Sequence, residues 1–105
     1  MTDFVHHEPR PGLLTLHGEL TSGSARALHV LLMSTLAQHP TVELDLLNVT
    51  KLDTAAVQLF VFLHREALKQ GKRLRWLGFS MAVQEVFELL DLTDLVGRPG
   101  AVLWD

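Results

Sequence analysis

The chain has 105 residues, 48% of them hydrophobic and 20% charged, with a formal charge of −3 and a pI near 6.0. That length gives room for one domain over residues 1–105, with a core large enough to fold without a metal or covalent staples. The lack of cysteine removes disulfides, thiol chemistry and cysteine–zinc sites, and the acidic balance argues against a nucleic-acid surface.

Asp3, His6, His7 and Glu8 stand where a signal peptide needs a basic start and an apolar run. The longest apolar stretch, residues 59–63, is far too short to span a bilayer. The expectation is a cytoplasmic protein that does not insert into a membrane.

Two short strands open the chain, over residues 4–7 and 13–20, with turn chemistry at Pro9, Pro11 and Gly12 between them. Thr21, Ser22 and Ser24 offer caps for a first helix that runs to His39 and is stopped by Pro40. Ala25, Leu28, Leu32 and Leu36 recur on one face of it. Residues 41–46 then alternate, with Val42, Leu44 and Leu46 on one side and Glu43 and Asp45 on the other.

A second helix starts at Asp53 and Thr54, turns Ala56, Phe60, Leu63 and Ala67 inward, and closes at Gly71. Residues 73–78 alternate again, with Leu74 and Trp76 opposite Arg73 and Arg75. Ser80 caps a third helix with Val83, Phe87 and Leu90 as its core positions. Residues 97–100 read as a turn, and Ala101 to Trp104 as a last strand.

The order β-β-α-β-α-β-α-β predicts an α/β fold with a mixed sheet of four to five strands. Strands joined through helices are expected to be parallel neighbours. Both interior strands alternate apolar with charged residues, so the helices are expected mainly on one face. The same alternation puts Glu43 and Asp45 on one sheet face with Arg73 and Arg75.

Leu44-Asp45-Leu46-Leu47-Asn48-Val49-Thr50-Lys51-Leu52-Asp53-Thr54-Ala55-Ala56-Val57 resembles the signature of the STAS family (sulfate transporter and anti-sigma-factor antagonist), a buried strand followed by Asp-Ser-x-Gly at a helix start. Gly18-Glu19-Leu20 and the segment from Ser80 through Ala82, Val83 and Phe87 to Leu89 agree with it in order and spacing. The resemblance implies a regulatory domain, not an enzyme, that docks on a protein partner and carries no cofactor. It implies that Thr54 is a phosphoacceptor, with Asp53 beside it. It also implies that the partner is a serine kinase or anti-sigma factor.

This sequence departs from the family pattern at several places. Thr54 replaces the commoner Ser, Ala56 stands at a usual Gly, Thr21 at a frequent acid, and Asp91 at a late Gly.

The residues themselves support a switch at Thr54. Asp53 as N-cap leaves the Thr54 hydroxyl at the surface in the first turn, near unpaired N–H groups and the positive end of the helix dipole. A phosphate there adds about −1.5 to −2 charges. A simple capping pair has the same local sequence.

On the outer face of the second helix, Ala55, Gln58, Phe62, Arg65 and Lys69 form a stripe at spacings of three and four, the expected partner-binding surface. An apolar surface buried by the chain's own loops would also account for Phe62.

The six histidines show no metal-ligand spacing, and His6 and His7 point to opposite faces of a strand. No phosphate loop or nucleophile elbow is present, so neither a metal nor a catalytic residue is expected. Two alternatives stand beside the switch: a STAS subunit on the ATPase of an ABC-type lipid or solute transporter, and a small-ligand binder using the exposed sheet face.

Overall fold

The computed structural model describes residues 4–91. The predicted turn at 97–100 and the predicted strand at 101–104 lie outside the described residues. Within them the order is β1 (Phe4–Arg10), β2 (Leu13–Leu20), a 3-10 turn (Ser22–Ser24), α1 (Ala25–Gln38), β3 (Thr41–Leu52), α2 (Thr54–Lys69), β4 (Arg73–Phe79) and α3 (Met81–Leu89). The four strands lie in the order β1-β2-β3-β4. β1 and β2 pair antiparallel, whereas β2–β3 and β3–β4 are parallel, as helical crossovers require.

The alternation of β3 divides the sheet into two unlike faces. Val42, Leu44 and Leu46 are fully buried beneath the helices, together with Leu14, Leu16 and Leu20 of β2. Trp76 of β4 ties the layers together, meeting Phe60 of α2 edge-on at 5.7 Å and Phe87 of α3 at 6.1 Å. The helices thus share one face of the sheet, as predicted.

On the other face Glu43 stands opposite Arg75 in register, and its Oε2 lies 3.4 Å from Arg75 Nη1. Arg10 donates to the other oxygen, Oε1, from Nε (3.2 Å) and Nη2 (2.8 Å). The Glu43 side chain is only 10% exposed, a more enclosed carboxylate than an open sheet face suggests. Asp45 is not part of this group. A register shift follows Leu44, and Asp45 instead accepts from the Leu47 N–H at 3.0 Å.

Three sequence expectations need correction. β1 runs on to Arg10, because Pro9 sits on an edge strand, where a missing N–H costs little. β3 continues past Leu46 to Leu52; its second half pairs with β2 from His17↔Asn48 to Leu20↔Leu52, with one register shift just before this span, between Thr15 and His17, and one within it, between Gly18 and Glu19, and these break the alternation. Leu90 is the C-cap of α3 and is 41% exposed, so it does not belong to the core.

Candidate functional site

The C-terminal ends of β2 and β3 deliver two helix starts to one place. The Asp53 N–H donates to the Leu20 carbonyl at 3.1 Å, which fastens the end of β3 beside the end of β2. Asp53 has extended backbone (φ −103, ψ 177), and its Oδ1 accepts from the Ala56 N–H at 3.1 Å, an N-cap that satisfies one orphan donor of α2. Its second oxygen, Oδ2, accepts from the Ser22 N–H at 2.7 Å. One carboxylate therefore holds α2 and the 3-10 turn before α1 together.

Thr54 is the first residue of α2 and is exposed. Ser22 beside it is exposed as well, whereas Ser24 is buried and bonds reciprocally with Thr21: its Oγ accepts from the Thr21 N–H (3.3 Å) and donates to the Thr21 carbonyl (3.2 Å). Ala56 lies buried in helical conformation, with no positive φ. The glycine usual in the family is therefore not needed at this position. At Asp91 the departure is tolerated differently: φ is +55, a left-handed conformation that Asp adopts more readily than most residues.

Beyond the first turn, Gln58, Phe62, Arg65 and Lys69 are exposed, and Ala55 is half-buried. Phe62 is 41% exposed and packs against His29 of α1, with ring centroids 5.9 Å apart. Lys69 pairs with Glu66 at 3.3 Å. Sequence reasoning found this stripe but not the Ser22 and His29 contacts, which depend on how α1 sits beside α2. The polar run from Thr21 to Ser24 was the only local hint of the first.

Replacing Asp53 by alanine removes the cap of α2 and the tie to Ser22. The expected cost is about 1–2 kcal/mol, measurable by urea denaturation, with amide exchange speeding up first at Ser22 and Ala56.

A family model described as "Mlab, STAS domain" matches residues 4–97. The chain belongs to the STAS family. No curated protein matches it.

Several solved structures share this STAS domain's fold. An anti-sigma factor antagonist from Mycobacterium paratuberculosis superposes with a TM-score of 0.76 at 18% identity, over 87% of this chain and 80% of that one. The anti-sigma factor antagonist SpoIIAA in its unphosphorylated form gives 0.69 at 19% identity, over 88% and 84%. The phosphorylated form of the same Bacillus protein gives 0.65 at 18%, over 88% and 86%. A structure of the diguanylate cyclase SiaD with its activator SiaC, from Pseudomonas aeruginosa, gives 0.56 at 17%, over 90% and 94%. At such identities the likeness establishes the fold. Among the described residues, no helix is long and apolar enough to cross a membrane.

Proposed function

We propose that this STAS domain is a non-enzymatic regulatory module of the cytoplasm. In this reading it docks on a serine kinase or anti-sigma factor through the N-terminal half of α2 and is switched by phosphorylation of Thr54. The observation that carries the reading is the position of Thr54: an exposed hydroxyl at the first residue of a capped helix, two turns from an exposed aromatic. Support comes from SpoIIAA, an anti-sigma factor antagonist of the same fold that exists in unphosphorylated and phosphorylated forms.

The chemistry divides between the two proteins. Both Asp53 oxygens already accept backbone N–H bonds, so Asp53 organises the site, and the base that takes the Thr54 proton belongs to the kinase. Once attached, the phosphate adds about −1.5 to −2 charges beside a carboxylate. It competes for the N–H groups that Asp53 holds and presents a strongly hydrated dianion where the partner has to exclude water.

Thr54→Glu is expected to weaken partner binding about tenfold (~1.4 kcal/mol), whereas Thr54→Ala retains most of it. The test is a capture from cell extract followed by titration of the captured ATPase with each variant. A kinase-like ATPase supports the reading, a transporter ATPase moves it to the transporter alternative, and equal affinity of all three chains reduces Thr54 to a helix residue without a switch.

A further inference from the structure

The exposed side of α1 and α2 carries a charge opposite to that of the whole chain. The protein has a formal charge of −3, yet α1 has no acidic residue and carries Arg26 at its start, while α2 exposes Arg65 and Lys69. The one acid of α2, Glu66, is held by Lys69 at 3.3 Å. Among the described residues neither Arg26 nor Arg65 has a carboxylate partner. The other acids of the helical layer, Glu85 and Glu88, lie on α3 instead.

Apolar surface lies in the middle of this cationic face. Phe62 of α2 stacks obliquely on His29 of α1 (5.9 Å, 33° between rings) and bridges the seam between the two helices. Val30 is 59% exposed, follows His29 on α1, and lines with Arg26 a groove that also takes in His6 of β1. Arg26 stands one turn before Val30, and Arg65 about one turn after Phe62. An apolar strip with a guanidinium on each helix is the complement of an amphipathic helix that has acidic flanks.

We propose that the α1–α2 face takes an acidic amphipathic helix of the partner, with its apolar side on Phe62, His29 and Val30 and its carboxylates on Arg26 and Arg65. This rests on the docking role proposed above and names the partner's chemistry. It also gives the switch a physical cause. Ser22 and Thr54 lie at the head of the same seam, so a phosphate on Thr54 meets an occupant of like charge.

The test uses two synthetic helical peptides with the same leucine face, one flanked by Glu and the other by Lys. Each is titrated into the isotopically labelled full chain. The Glu peptide is expected to bind, with amide shifts clustered at Arg26, His29, Phe62 and Arg65, and to weaken steeply as NaCl rises from about 50 to about 300 mM. The double variant Arg26→Glu/Arg65→Glu is expected to lose at least about tenfold in affinity for the Glu peptide and to gain the Lys peptide. Neither position is buried, so its melting temperature should stay near that of the unmodified chain.

Equal binding of both peptides to the unmodified chain, or shifts that fall on α3 or the open sheet face, overturns the proposal. Thr54→Glu in the same titration separates the two ideas. A loss of Glu-peptide affinity supports both. Unchanged affinity, with the arginine effect intact, keeps the acidic-helix site and removes the Thr54 switch.

Discussion

Truncating Phe60 to alanine is expected to cost the fold about 3–5 kcal/mol, whereas the same truncation two residues later, at Phe62, should cost under about 1 kcal/mol. The two side chains leave α2 on opposite sides. Phe60 is fully buried and meets Trp76 edge-on at 5.7 Å, and Trp76 also touches Phe79 and Phe87, so a cavity there opens in the middle of the aromatic cluster that joins sheet and helices. Surrounding groups are held by β4 and α3 and have little freedom to collapse inward, which puts the cost at the high end for a core truncation.

Phe62 is 41% exposed, and its ring contact is with His29 on the surface. Its removal uncovers part of His29 and of the seam between α1 and α2 and opens no cavity in the aromatic cluster. If it anchors the partner, Phe62→Ala cuts affinity about tenfold or more (~1.4 kcal/mol) while the melting temperature moves only a few degrees. Melting curves for both variants, beside a binding titration for Phe62→Ala, check the pair. A large stability loss at Phe62 would assign it to the core.

Gly12→Ala should destabilise by more than about 2 kcal/mol, and by more than the same change at Gly71. Gly12 forms the β1–β2 turn at φ +85, and a Cβ there would lie 2.5 Å from the Thr41 carbonyl oxygen, a backbone atom at the start of β3. Thr41 cannot retreat freely, because the Gly12 carbonyl accepts from the Glu43 N–H at 2.8 Å and Thr41 pairs with Arg73 of β4. The clash therefore pulls the hairpin away from the parallel part of the sheet. Gly71 has φ +66, but a Cβ there would meet nothing within 4 Å, so alanine costs only the left-handed strain of about 1–2 kcal/mol. Urea denaturation of the two variants gives the comparison directly. Similar losses at both sites would mean that β3 gives way.

The fold was legible where the signals were local. Caps at Asp53 and Ser80 and alternation at residues 42–46 place α2, α3 and the first half of β3 within a residue or so. The second half of β3 was hidden because its bulges destroy the period of two on which strand reading depends. Leu90 continues the apolar spacing of Val83 and Phe87 in the sequence but lies one residue past the end of α3, as its C-cap.

The Arg10–Glu43 pair had no sequence signal, since β2 lies between the strands that carry it and only the sheet order brings them within reach. The candidate site divides in the same way. Asp53 and Thr54 were readable from capping chemistry, but Ser22 and His29 enter it only through the packing of α1 beside α2.

If charge at Thr54 governs docking, it is read out by titrating the captured partner with the chain carrying phosphothreonine at position 54, placed there by genetic encoding. The unmodified chain and Thr54→Ala serve as references. Phosphothreonine is expected to weaken binding at least about tenfold, with the fold intact by circular dichroism and Thr54→Ala close to the unmodified chain. The same affinity for the phosphorylated and unmodified chains would contradict a switch at Thr54.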